Sequence, residues 1–330
     1  MLYCQDLEDL VFSKNQYVDC DELLIISGYV GPNPILRLGE LPIKTTVVYG
    51  MYGSEGIKPR LHSALMSINS ELNNVSILYS QIPVHSKIYI WLKNSQIMYV
   101  LIGSANFSTN GLCTPFKEVL ADTPKDTFKE LRRYIDKILN SSVNCEEGQL
   151  KIVDKTRNDY INVQNLDPEI CDIPLFDMST GEVQSGNGLN WGQCALTGSH
   201  VNIDDANIAI TKNFLRAYPQ LFPEKQMLPR NSVESGRINR HNDAIDIIWD
   251  DGTNMKGLLE GNQKENGKCY PKQICSHPKK KILGQYIRKR LGLKSGEKIT
   301  KQHLDNYGRT TISISLLSEG VYYFDFSVKK

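Results

Sequence analysis

The sequence contains no CxxC pair, and only six histidines accompany its eight cysteines. Cys4, Cys20, Cys113, Cys145, Cys171, Cys194, Cys269 and Cys275 are scattered. They read as free thiols of a reducing compartment, not as a disulfide frame or a zinc site. No run approaches the roughly 18 apolar residues of a membrane span. The N-terminus, MLYCQDLEDL, lacks the basic segment and following apolar stretch of a targeting peptide. A soluble, cytoplasmic protein with no membrane partner is the expectation. Internal repeats and low-complexity tracts are missing, and so is a GxxxxGK[ST] loop, so any use of ATP has to come through a partner.

Charge of either sign is in small excess overall, with a formal net of +1 across 330 residues. The average hides an asymmetry. Residues 1 to 178 carry 16 basic and 22 acidic side chains, six acidic in excess, whereas residues 179 to 330 carry 22 and 15, seven basic in excess. A basic half joined to an acidic one points to a polyanion facing the second half. The length suits two domains, each with its own core. Periodicity fades from Asp154 to Ile173, around Asp167-Pro168, which sets the expected domains at 1–172 and 173–330.

What is present in the first half is an alternation of strands and helices. Leu23 to Tyr29 and Thr45 to Gly50 are β-branched and aromatic runs, each containing or ending in glycine, and predict buried strands. Leu61, Leu65, Ile68 and Leu72 recur at helical spacing behind Pro59. Val75 to Tyr79, Ile88 to Leu92 and Ile97 to Ile102 predict further strands. Phe128, Leu131, Ile135 and Ile138 predict a helix that starts near Thr123-Pro124-Asp126. The layout is α/β. The second half is β-rich, with strands at Ala244 to Trp249 and Thr310 to Leu317, a hairpin turn at Asp250-Asp251-Gly252, and one helix, Ile282 to Leu291, basic outside and closed by Gly292.

Chemistry concentrates in His85-Ser86-Lys87 and, one strand and a Lys-Asn-Ser turn later, Gly103-Ser104-Ala105-Asn106-Phe107-Ser108. Alternation along a strand points His85 and Lys87 one way and Ser86 the other. A neutral histidine can attack phosphorus, while a lysine ammonium and an asparagine amide neutralise and orient the non-bridging oxygens. Taken singly these residues are ordinary, since HxK arises by chance, Asn106 suits a turn and Lys87 suits solvent.

Their conjunction resembles the HxK and GSxN signature of the phospholipase D superfamily. The longer family motif has an Asp where this chain has Leu92, which resembles the nuclease branch. There a downstream Glu supports the histidine, and Glu118 is the candidate, although it reads equally well as a surface carboxylate on an edge strand. Ser104 either donates to the phosphate or is simply small. The superfamily chemistry takes two histidines, and the chain has one HxK. By similarity to single-motif members, a homodimer through the nuclease domain completes the site, with acid and base roles exchanged between subunits.

Two polar loops in the second half suit double-stranded DNA: Ser185 to Gln193 (SGNGLNWGQ) and Leu259 to Lys268 (LEGNQKENGK). Asn and Gln side chains can pair with adenine, and Lys or Arg with guanine. Singly, each reads as an ordinary polar loop. GLNWGQ, the WDDG hairpin, ILGQYIRKRLGL and HLDNYGRTTISIS resemble the C-terminal half of restriction endonucleases of the NgoFVII and BfiI type. In these a phospholipase D-like α/β nuclease is joined to a pseudobarrel similar to the plant B-three (B3) domain. The resemblance implies a sequence-specific, type II-like endonuclease that works without metal through a phosphohistidine. His85, Lys87, Asn106, Glu118 and Ser104 would be catalytic. Asn187, Asn190, Trp191, Gln193, Arg230, Asn262, Gln263, Lys264 and Lys268 would bind DNA from two arms, with Arg237, Arg240 and Lys279 to Lys281 as further phosphate contacts. No cofactor is implied for the nuclease chemistry. Some relatives resemble subunits that work with a helicase-like ATPase, the route by which ATP would enter. Two other readings stay open: a phospholipid or other phosphodiester hydrolase, and a non-catalytic DNA-binding protein.

Overall fold

The computed structural model describes residues 1–153, 170–194, 201–225 and 242–328. Two compact units divide the chain: Met1–Val163 with Leu317–Val321, and Gln164–Leu316 with Tyr322–Lys330.

The first unit is built on one mixed sheet. Its strands are β1 (Leu2–Tyr3), β2 (Glu22–Ser27), β3 (Lys44–Tyr49), β4 (Val75–Ser80), β5 (Lys87–Lys93), β6 (Gln96–Gly103), β7 (Leu120–Asp122) and β8 (Ser142–Asn144). They lie in the order β1-β7-β6-β5-β2-β3-β4-β8. β2, β3 and β4 are parallel neighbours, which requires crossover connections, supplied by helices such as Pro32–Arg37 and Pro59–Glu71. The second of these buries Leu61, Leu65 and Ile68 of the predicted stripe together with Ala64, while Leu72 falls just past the helix end and is half-buried. On one side of the sheet, Leu131, Ile135 and Ile138 of helix Phe128–Asn140 cluster with Leu24, Ile26, Val48, Ile88, Ile90 and Val100. Each such side chain contributes about 1.5–3 kcal/mol by leaving water.

β5 and β6 form a tight hairpin. Lys93 faces Gln96 across Asn94 and Ser95, whose φ angles of 47° and 64° give the left-handed pair that matches strand twist.

The second unit is a seven-stranded sheet with helices. Its strands are β9 (Ile170–Pro174), β10 (Ile208–Ala209), β11 (Asp243–Trp249), β12 (Asn254–Glu260), β13 (Gln263–Glu265), β14 (Lys268–Tyr270), β15 (Gln273–Ser276), β16 (Thr311–Ser318) and β17 (Val321–Asp325). The sheet order is β10-β15-β12-β11-β17-β16-β9, with β13 and β14 a separate pair. Ile173, Ile208, Phe222, Ile245, Trp249, Ile287, Ile312 and Phe324 share its core. The β11–β12 hairpin turns at Asp250-Asp251-Gly252 as expected.

Two expectations need correction. Helix Lys281–Arg290 is not basic only on its outside, because Arg288 points inward. It pairs with Asp204 at 3.1 Å, both side chains being 1% exposed. The segment LEGNQKENGK is not a loop. β12 runs through Glu260, and an ordered hairpin follows, whose Asn266-Gly267 turn has φ of 48° and 76°. The Asn-Gly pair is the strongest short signal for such a turn, and the density of polar residues hid it. Glu265 on this hairpin is anchored by Arg216 at 2.7 Å.

Cys4, Cys20, Cys113, Cys145, Cys171, Cys269 and Cys275 are free thiols, and burial pushes those of Cys145 and Cys171 up to about 12. Among the described residues no helix is long and apolar enough to cross a membrane. No group of three or more His, Cys, Asp or Glu among them could hold a metal ion.

Candidate active site and nucleic-acid interface

Strand register assembles the first unit's site. Lys87 opens β5 and faces Gly103, the last residue of β6, while Ile88 faces Ile26 near the end of β2. The HSK and GSAN segments therefore meet the end of β2 at one end of the sheet. His85 is exposed, whereas Lys87 is 5% and Asn106 6% exposed. The Lys87 Nζ lies 3.1 Å from each ring nitrogen of His85 and donates to its carbonyl at 2.6 Å. Burial draws the Lys87 ammonium below the usual lysine range. Ser86 turns the other way, with its hydroxyl 2.9 Å from that of Tyr134, as strand alternation requires.

Asn106 is oriented by the backbone after β2. The Tyr29 N–H donates to its Oδ1 at 3.1 Å. The Ser27 hydroxyl ties the two segments together, accepting from Phe107 N–H at 2.9 Å and donating to the Tyr29 carbonyl at 2.5 Å. With Oδ1 engaged by a backbone N–H, the NH2 end of the amide is the donor, and it donates to the Glu319 carboxylate Oε2 at 3.2 Å, so a phosphate oxygen would take the place of that carboxylate.

Gly28 is the floor under all three groups. A Cβ placed on it would lie 3.2 Å from His85 Cδ2, 3.3 Å from Lys87 Nζ and 3.4 Å from Asn106 Oδ1. Sequence reasoning missed Gly28, Ser27 and Tyr29 as site residues. The available signal was the strand LLIIS ending in Gly-Tyr, which marks a close approach without naming what approaches. The Tyr29 ring meets the His85 ring edge-on at 6.1 Å, and its hydroxyl donates to Glu55 at 2.8 Å. Burial, then that carboxylate, pushes the Tyr29 phenol up to about 12.

Ser104 and Glu118 stand apart from this convergence. The Ser104 hydroxyl accepts from Val119 N–H at 3.1 Å and so pins the β6–β7 pairing. Glu118 lies just before β7, not on a strand at the sheet edge, since β7 sits between β1 and β6. Among the described residues it makes no hydrogen bond to His85, but its charge reaches Lys87 and Tyr89. Leu92, which occupies the place of the motif's Asp, is 4% exposed within the apolar cluster. Chemically, the site offers an exposed imidazole, a buried cation and an oriented amide, the set needed for attack on a phosphodiester with its charge held.

In the second unit the sequence-derived DNA contacts divide. Asn190 is fully buried, donating to Ile299 O at 2.7 Å and accepting from Ile299 N–H at 2.8 Å. That clasp consumes both ends of the amide, so the expected contact with a base is replaced by a structural role. Gln263 donates to Ile210 O and Pro271 O, both at 2.8 Å, which commits its two amide hydrogens. Asn187, Gln193, Asn262, Lys264 and Lys268 are exposed. Of these, Asn187 donates to Gln184 at 3.0 Å, Gln193 to Gly296 O at 2.9 Å, and Lys268 pairs with Glu224 at 2.8 Å. Trp191 is half-buried beneath Lys280. Arg230, Arg237 and Arg240 lie outside the described residues.

Residues 5–152 match the family model of the NgoFVII restriction endonuclease N-terminal PLD domain, and residues 169–318 that of the NgoFVII C-terminal B3-like DNA-binding domain. No curated protein matched the chain. Among solved structures, NucT from Helicobacter pylori is similar at 18% identity, covering 44% of this chain and 97% of its own, with a TM-score of 0.33. The phosphatidylserine synthase of Haemophilus influenzae Rd KW20 is similar at 13% identity over 38% of this chain and 34% of its own, with a TM-score of 0.28. The polyphosphate kinase of Porphyromonas gingivalis follows at 14% identity over 44% of this chain and 23% of its own, also with a TM-score of 0.28.

Proposed function

The chain belongs to the NgoFVII restriction endonuclease family, a PLD-like domain followed by a B3-like DNA-binding domain, and from that premise we propose a sequence-specific, metal-independent DNA endonuclease acting through a phosphohistidine. That it is a DNA endonuclease follows from the family. The finer statements are supported by one observation: His85, Lys87 and Asn106 converge on Gly28 at one end of the sheet.

In this reading a ring nitrogen of His85 attacks phosphorus, the N–P bond forms, and the bond to the leaving sugar oxygen breaks. Lys87 and the Asn106 amide hold the non-bridging oxygens as charge develops there. The leaving oxygen takes its proton from a second histidine, which the chain's single HxK assigns to His85 of a second protomer. Water then attacks phosphorus, the N–P bond breaks, and the water proton passes to that second histidine. Glu118 acts through its charge on Lys87, and Ser104 by fixing the backbone beside Asn106. The second unit binds duplex DNA and chooses the sequence. The nuclease chemistry takes no cofactor, and ATP dependence, where present, comes from a helicase-like ATPase partner.

Trapping tests the covalent route. During turnover on labelled duplex DNA, quenching in alkaline denaturant is expected to yield a DNA-linked peptide containing His85. Cleavage that proceeds with no such adduct overturns the phosphohistidine. Sedimentation of the full chain is expected to show a dimer, and full activity from a monomer overturns the shared site.

A further inference from the structure

Glu260 closes β12, and Gln273 opens β15 directly opposite it, so the two side chains flank the root of the β13–β14 hairpin. Along β12 the residues Met255, Gly257 and Leu259 are buried, while Lys256, Leu258 and Glu260 occupy the other face. The Glu260 carboxylate gathers three donors. Lys280 Nζ lies 2.9 Å from Oε1 and 2.7 Å from Oε2, and Oε2 also accepts from Gln273 Nε2 at 3.1 Å and Cys275 Sγ at 3.0 Å. Lys280 in turn stands 4.3 Å over the Trp191 ring. The pair is not withdrawn from solvent, since the Glu260 and Lys280 side chains keep 15% and 28% of their exposure.

As a device for stability this is a poor investment, because partly exposed ion pairs contribute about 0–1 kcal/mol. As a recognition device it is well formed. Among the described residues Oε1 accepts from Lys280 alone, which leaves it a lone pair for a second donor, and an ammonium carries three hydrogens. Trp191 comes from one candidate DNA segment, and Glu260 from the other. A fixed acceptor beside a fixed donor complements a C·G pair in the major groove, where cytosine offers the N4 amino group and guanine offers O6 and N7. A T·A pair would set the thymine methyl against the charges instead.

Resting on the reading of the second unit as a sequence-specific binder, we infer that Glu260 and Lys280 together read one C·G base pair of the recognition sequence. Glu260 accepts from cytosine N4, and Lys280 donates to guanine. Gln273, Cys275 and Trp191 are positioning residues.

Selection from a random-sequence duplex pool by the full chain tests this. Wild type is expected to require C·G at one position. Glu260→Gln and Lys280→Met are each expected to lose roughly 10-fold preference at that same position and to keep the others. Unchanged discrimination in either folded variant, losses at two different positions, or a uniform fall in affinity across sequences would overturn the pair as a base reader, the last marking a phosphate contact. If Glu260→Gln does not fold, the single-position loss must appear in Lys280→Met alone. A wild type that enriches no sequence overturns the specificity of the second unit itself, and this inference with it.

Discussion

The Lys87 Nζ sits 3.1 Å from both ring nitrogens of His85, so the ammonium and the imidazole form one unit, with the buried cation behind an exposed ring. Removing either group therefore removes a different part of the chemistry. In the proposed mechanism His85→Ala loses the nucleophile, and Lys87→Met loses charge at the non-bridging oxygens. Removal of one such donor typically costs about 10²–10³ in kcat. DNA cleavage by Lys87→Met is expected to fall by that factor and by His85→Ala to fall further, with DNA binding retained in both. Single-turnover cleavage beside a binding titration checks it.

Gly28→Ala tests whether the convergence on the end of β2 sets the catalytic geometry. The added methyl would meet His85, Lys87 and Asn106 at 3.2–3.4 Å, so these side chains must give by a few tenths of an ångström. Misplacing reacting groups by about 1 Å can cost on the order of 10²-fold. Expected is a loss of roughly 10- to 100-fold in kcat with unchanged DNA affinity and circular dichroism. Unchanged kcat would show that the site relaxes around the methyl.

Asn190→Ala separates structure from recognition in the second unit. It strips both partners from the buried Ile299 N–H and C=O groups, and an unmet buried polar group costs about 1–3 kcal/mol. Thermal unfolding is expected to show that loss, while the selected DNA sequence stays the same.

His62 makes acid stability measurable. Its Nδ1 lies 3.1 Å from the Tyr79 hydroxyl, and burial lowers its pKa below the unfolded value of about 6.5. The folded state therefore binds fewer protons than the unfolded one between the two values, so stability rises with pH through that window and falls as pH drops below about 6.5. His62→Gln is expected to flatten this part of the Tm-against-pH curve. An unchanged slope would assign the acid loss to other groups.

The strands and the two-part motif were legible because each signal is local. Periodicity marked the helix stripe Leu61, Leu65 and Ile68, and β-branched runs marked β2 through β6. What was not legible depends on register and burial. Gly28 became part of the site only when Ile26 was placed opposite Ile88, which no spacing within the chain reveals. Asn190 and Asn187 look alike in SGNGLNWGQ, yet one is fully buried and the other exposed. Glu260 stood in LEGNQKENGK without being singled out, because its partners Gln273 and Lys280 lie 13 and 20 residues away.

The most direct measurement is cleavage of site-bearing duplex DNA by the full chain in EDTA, repeated with the proposed helicase-like ATPase partner and ATP where the chain alone is inactive, that partner's own divalent requirement being met in a parallel reaction. Wild type is expected to cut at defined positions without free metal, and His85→Ala, bound to the same DNA, is expected not to cut. Undiminished cutting by His85→Ala, or cutting by wild type that stops when EDTA alone is added to a partner-free active reaction, would contradict a metal-independent histidine nuclease.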